Sequence, residues 1–129
     1  MNGASQLYDG FLPGRHPIEG FGAGGFRFAG MSHKGSILLL PSGIRAVDAP
    51  APFRHADDLY AGVFAEAAGI DILLLGAGRV PVPLPEAMRW RLRDAGIRSD
   101  VMTTASACST FNLLLEEGRR VAALLAATD

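Results

Sequence analysis

Apolar and polar positions divide this chain into a β-rich half and an α/β half. Segments 18–22, 25–30, 36–40 and 43–47 are short and rich in glycine and apolar residues. Phe26 and Phe28 alternate onto one face and 31–35 turns the chain back, so the pattern predicts antiparallel strands. Asp57 then stands where a helix cap belongs. Tyr60, Val63, Phe64 and Ala67 mark the buried face of that helix, and Gly69 ends it. Segment 70–75 is apolar apart from Asp71, which predicts a strand covered on both faces, as in a parallel sheet. After a loop at 76–83 rich in Gly and Pro, Pro85 suits a first helical position. Leu84, Met88, Leu92 and Ala95 recur at helical spacing, and Gly96 sits at the C-terminal cap. Segment 97–102 reads as the next strand, so strand, helix and strand form a βαβ unit with a right-handed crossover. Small hydroxylated residues at 103–110 open a final helix. Cys108, Phe111, Leu114, Leu115, Val121, Ala122 and Leu125 extend its apolar stripe, which predicts one helix from about Thr104 to Ala126, with Gly118 inside it at a close packing point.

Residues 1–17 have little periodicity and read as a loosely ordered arm with a short strand near Leu7 and Tyr8, leaving 18–129 as a single α/β domain. With 129 residues, 49% apolar and 19% charged, the chain has enough material for a core without metal or disulfide. A net charge of −1, with twelve dispersed Lys and Arg against thirteen acids, argues against a nucleic-acid binder, which needs clustered cations. Cys108 is the single cysteine and has no intramolecular partner, which fits a reducing compartment. Apolar runs are too short to span a bilayer, and the first residues have neither the basic and apolar regions of a signal peptide nor the arginines of a transit peptide. The expectation is cytoplasmic.

Several motifs then fall in a fixed order. They are Gly35-Ser36-Ile37-Leu38-Leu39-Leu40-Pro41, Ile72-Leu73-Leu74-Leu75-Gly76-Ala77-Gly78, Ala95-Gly96-Ile97, Met102-Thr103-Thr104, Ala107-Cys108-Ser109-Thr110-Phe111-Asn112 and Glu117-Gly118-Arg119. In this order, from Ile18 onward, the chain resembles the family of small α/β domains that includes mitochondrial NADH:ubiquinone oxidoreductase complex assembly factor 3 and many uncharacterised bacterial and archaeal proteins. The resemblance implies a layered fold with a central mixed β-sheet, flanking helices and an additional N-terminal antiparallel β layer. It also implies a protein partner in complex assembly.

The chemical motifs have competing structural explanations. Residues 20–25 satisfy G-x-G-x-x-G, but Phe26-Arg27-Phe28 follows as a strand where a dinucleotide fingerprint requires a helix. His16, His33 and His55 lie in predicted loops at spacings that form no ligand pair, so no metal site is expected, and surface solvation explains them. The helix field near Cys108 favours a thiolate, whereas its place on the apolar stripe favours packing. Asn112 is read as a hydrogen-bonding partner of a neighbouring loop. Glu116, Glu117, Arg119 and Arg120 suit a solvated helix face with paired charges. Arg89 and Arg93 share a helical face beside Trp90, a surface suited to a protein or anion contact.

The strongest composite candidate lies at the carboxyl ends of the two parallel strands, where open α/β sheets bind ligands. Gly76 and Gly78 allow close backbone approach, Arg79 adds a cation, and Thr103 and Thr104 add hydroxyls at a helix start, a set suited to a small anion or carboxylate. The same residues also make an ordinary turn and helix cap. No cofactor and no catalytic residue is assigned. The reading is a non-catalytic interaction or complex-assembly module, with an anion-binding protein or weak enzyme at these strand ends as the alternative.

Overall fold

A computed structural model describes residues 10–128. Its strands are β1 (Phe11–Pro13), β2 (Ile18–Gly22), β3 (Gly25–Phe28), β4 (Met31–Lys34), β5 (Ser36–Leu40), β6 (Gly43–Val47), β7 (Ile72–Gly76), β8 (Arg98–Met102) and β9 (Val121–Leu125). The helices are α1 (Ala61–Ala65), preceded by a 3-10 turn at Asp57–Tyr60, α2 (Glu86–Asp94) and α3 (Thr104–Glu116). Six strands form a mixed sheet in the order β1-β6-β5-β9-β7-β8, and β2-β3-β4 form a separate antiparallel sheet. The α/β class and the layered mixed sheet are as expected. So is the parallel pairing of β7 with β8, from Ile72 opposite Arg98 to Gly76 opposite Met102. The strand expected near Leu7 and Tyr8 lies outside the described residues.

The layers follow from strand alternation. On β5, Ile37 and Leu39 face one side and Leu38 and Leu40 the other; on β9, Val121, Ala123 and Leu125 oppose Ala122 and Leu124. The first set packs against Cys108 and Phe111 of α3 and against Phe26 and Phe28 of the small sheet. The second packs against Tyr60 and Val63 beside α1 and against Met88 and Leu92 of α2. The small sheet is fastened to α3 by Asn112, whose Oδ1 accepts from the Ile18 N–H at 2.8 Å and whose Nδ2 donates to the Ile18 carbonyl at 2.7 Å. The side-chain amide thus completes the backbone pairing of a strand edge.

Three expectations are corrected. The final helix stops at Glu116, and 121–125 is a central strand, antiparallel to β5 and parallel to β7. Gly118, at φ +74°, is not interior to the helix but ends it: the Gly118 N–H donates to the Leu115 carbonyl and the Arg119 N–H to the Leu114 carbonyl. That pair is a Schellman motif, which needs a left-handed residue at this position. Second, the chain reverses not at 31–35 but at Ala29 and Gly30, both at positive φ, and Met31–Lys34 is a strand. Ala23 and Gly24 make a matching two-residue hairpin turn with both φ values positive. Third, Asp57 is not a cap: Ala56 occupies that position, without a side-chain hydrogen bond.

Candidate functional site

The carboxyl ends of β7 and β8 do bring the candidate residues together, but mostly into contact with one another. Helix α2 follows β7 onto one face of the sheet, and α3 follows β8 onto the other. Such a divergence opens a crevice in many α/β sheets. Here Thr104 closes it. Its side chain is fully buried, and its hydroxyl donates to the Ala126 carbonyl at 2.7 Å and accepts from the Gly78 N–H at 3.0 Å. The Thr104 N–H in turn donates to the Gly78 carbonyl at 2.8 Å, and the Ala126 N–H to the Gly76 carbonyl at 2.8 Å. Thr103 caps α3, accepting from the Ser106 N–H at 3.2 Å. Gly76 is a packing glycine: a Cβ there would lie 3.0 Å from Ala107 Cβ, Leu125 Cδ2 and Thr104 Cα, so it lets α3 settle on the sheet.

Gly78 and Arg79 are the members of the set that reach open space. They border a cleft of about 630 Å³ whose other walls are loop 47–53, Ser36 and the chain at 126–128. Asp48 and Arg79 are its charged residues, and Val47, Phe53, Val80 and Val82 give it an apolar lining. Sequence reasoning missed the wall at 47–53, which carries no motif and reaches β7 only through the tertiary fold. Beneath this wall His55 is held from both sides. Its Nδ1 meets the Tyr60 hydroxyl at 2.6 Å and its Nε2 the Val82 carbonyl at 2.6 Å. Because a carbonyl only accepts, Nε2 carries the proton and Nδ1 accepts from tyrosine. Burial holds the Tyr60 hydroxyl well above the ordinary tyrosine range, so it stays protonated for this bond.

The other histidines and Cys108 also have defined places. His33 lies on β4 rather than in a loop and is buried. Its Nδ1 has no hydrogen-bond partner among the described residues, and burial lowers its pKa. His16 is half-buried, with Nε2 2.9 Å from the Pro13 carbonyl. Cys108 is buried against the sheet, and burial pushes its thiol up to about 11, the opposite of activation by a helix terminus. No group of three or more potential metal ligands occurs among the described residues. Arg120 lies beyond the helix and pairs with Asp71 across an exposed gap of 2.6 Å, so the expected solvated helix face ends at Glu117.

The second candidate surface lies on α2. Trp90 is 53% exposed, and the Arg93 guanidinium sits 5.3 Å from its ring centroid, within cation–π range. Arg89 is exposed on the same helix. Arg91 turns away and stacks at 4.6 Å on Phe64 of α1.

Comparisons with known proteins agree with this architecture. A family described as protein of unknown function (DUF498/DUF598) matches residues 18–126. An uncharacterised protein of Rhodobacter capsulatus is 40% identical over 112 residues, 87% of this chain and 85% of that one. A crystal structure described as an outer membrane protein from Bartonella henselae superposes with a TM-score of 0.88 at 47% identity, covering 92% of this chain and 99% of that one. Human NADH dehydrogenase [ubiquinone] 1 alpha subcomplex assembly factor 3 is 28% identical over 108 residues, which are 84% of this chain and 59% of the human protein. No helix among the described residues is long and apolar enough to cross a membrane. By the extent of the family match and the identity to its relatives, the chain belongs to the DUF498/DUF598 family of proteins of unknown function.

Proposed function

We propose that this domain is a non-catalytic protein-interaction module that acts in assembling a larger complex, with Arg89, Trp90 and Arg93 on α2 as its contact surface. The observation that carries this reading is the exposed Trp90 with Arg93 against its ring. Trp and Arg are the side chains most enriched among the residues that dominate the energetics of protein interfaces, and here they stand together on one exposed helix. Distant similarity to an assembly factor agrees, as do a fully engaged Thr104 hydroxyl and a buried, protonated Cys108 thiol. A cytoplasmic setting fits the single buried thiol. The test compares cross-linked partners of the wild-type chain with those of Trp90→Ala and Arg93→Ala in the source cell. Partners lost in both variants, with unchanged amide spectra, support the reading; a partner set indifferent to both changes refutes it.

A second reading, a weak anion site at the strand ends, is favoured by the cleft that Gly78 and Arg79 border. The geometry supports a millimolar Kd, about 4 kcal/mol, because no loop encloses the ligand. Titrating phosphate, sulfate and small carboxylates should shift the Gly78 amide before those of residues 116–120, and Arg79→Ala should remove the effect. Shifts that survive Arg79→Ala exclude this site.

A further inference from the structure

We propose that the β8 edge of the mixed sheet takes up an extended, acidic segment of the partner protein as an additional strand, held by the arginines of α2 beside it. The inference rests on α2 being a contact surface and names the kind of segment it contacts. The two edges of the six-stranded sheet differ. β1 has three residues and ends in Pro13, which blunts that edge. β8 has five, contains neither proline nor glycine, and pairs with β7 in unbroken register. The Arg98 N–H donates to the Asp71 carbonyl at 3.0 Å, and the Met102 carbonyl accepts from the Ala77 N–H at 2.9 Å, so these residues turn their backbone groups toward β7. Ser99 and Val101 alternate with them and turn theirs outward, where no other described segment bonds to their backbone. Such a row is a template for a further strand.

Charge decides the occupant. At about 3.6 residues per turn, Arg91 falls on one flank of the buried Met88 and Leu92, and Arg89 and Arg93 fall on the other. Arg91 stacks on Phe64 of α1. Helix α1 lies over β5, since a Cβ on Gly62 would come within 3.2 Å of Leu40 and 3.3 Å of Leu38. The Arg91 flank therefore faces the middle of the sheet, and Arg89 and Arg93 face the β8 edge. Together with Arg98 they border the open strand with exposed cations, none of them ion-paired among the described residues. Asp100 is the acid of the strand itself, Asp94 falls on the Arg91 flank, and Glu86 stands at the other end of α2. An acidic strand is complementary to this edge, and a basic one is repelled. A second copy of the chain fits poorly, because a two-fold axis across β8 sets the Arg89 and Arg93 flanks of both α2 helices against each other.

Trp90 is the single tryptophan of the chain, so its fluorescence reports on this flank. The probes are two capped peptides of about eight residues, long enough for one strand, one alternating Glu with Val and the other Lys with Val. The acidic peptide should shift the Ser99 and Val101 amides, slow their hydrogen exchange and change Trp90 fluorescence, with a Kd of about 0.1–1 mM, at least about tenfold tighter than the basic peptide. Arg89→Glu and Arg93→Glu, both exposed substitutions, should each weaken it about tenfold. Ser99→Pro removes an outward N–H that no described segment uses, and should abolish binding with the remaining spectrum in place; if that variant unfolds, hydrogen exchange at Ser99 and Val101 in the unaltered chain decides. Changes at Trp90 with Ser99 and Val101 unmoved overturn the added strand while the α2 surface stands. Equal binding of both peptides, affinity unchanged in the arginine variants, self-association of the chain through Ser99, or silence up to about 5 mM peptide also overturns the proposal.

Discussion

Replacing Thr104 by valine tests whether the strand-end threonine holds the fold together or waits for a ligand. Valine keeps the shape and the branched Cβ but removes a hydroxyl that donates to the Ala126 carbonyl and accepts from the Gly78 N–H. Both backbone groups lose a partner. An orphaned buried group costs about 1–3 kcal/mol, and the Ala126 carbonyl belongs in the upper half because Ala126 is buried. The Gly78 N–H lies beside the open cleft and regains water, so it adds about 1 kcal/mol. The added methyl returns somewhat under 1 kcal/mol of transfer free energy, leaving a net loss of about 2–3 kcal/mol. Thr104→Ser is the control, since it keeps the hydroxyl and loses one methyl, about 1 kcal/mol. Urea unfolding should therefore rank wild type above serine and serine above valine, with similar m values. Hydrogen exchange at Gly78 should accelerate in the valine variant alone. A valine variant as stable as serine would falsify the structural assignment and return Thr104 to the list of ligand contacts.

Phe111 is buried between α3 and the sheet, so Phe111→Ala should cost about 3–5 kcal/mol in urea unfolding; a shift under about 1 kcal/mol would place the ring outside the core. Gly118→Ala forces a side chain into the left-handed region and should cost about 1–2 kcal/mol in the same assay, although a Cβ there meets no neighbour, so a neutral result would contradict the cap. The Cys108 thiol is raised from an ordinary 9.0 to about 11, so the folded state holds its proton where the unfolded state has released it. Its contribution to stability is therefore complete below about pH 9 and is lost as pH rises from 9 to about 11, a decline that Cys108→Ala should flatten in pH-dependent unfolding. Below pH 9 the native thiol should react with iodoacetamide far more slowly than the unfolded one, and equal rates would show it to be accessible.

The parts of the fold legible in sequence are those that local chemistry specifies. The apolar run at 72–75, Pro85 before α2 and Gly96 after it define a βαβ unit without reference to distant residues. Gly96 and Gly118 make the same cap, yet only the first was readable. Ile97 begins an evident strand, whereas Val121-Ala122-Ala123-Leu124-Leu125 continues the helical stripe of α3 in register. Its alanines also lack the β-branched signature of a strand. What makes it a strand is the slot between β5 and β7, a tertiary fact. The hairpin turns were hidden for a related reason: alanine occupies the first positive-φ position at 23 and 29, where Asn or Asp would have announced the turn. In the candidate site, Thr103 and Gly78 were visible as turn chemistry. The saturation of Thr104 by Ala126 depends on β9 and was therefore invisible along with it.

The position of β9 has a consequence for how the domain is made. Residues 121–125 join two parts that have no other strand pairing between them: the β1-β6-β5 ribbon on one side and the β7-β8 pair on the other. As the chain leaves the ribosome, at about 5–20 residues per second, both parts emerge before the strand that unites them. Until then β5 and β7 each present an unpaired apolar edge, Ile37 to Leu39 and Ile72 to Leu75, of the kind that recruits other strands. Nascent chains arrested short of Val121 should accordingly bind chaperones and resist compaction, and release of β9 should trigger closure of the sheet in a single late step.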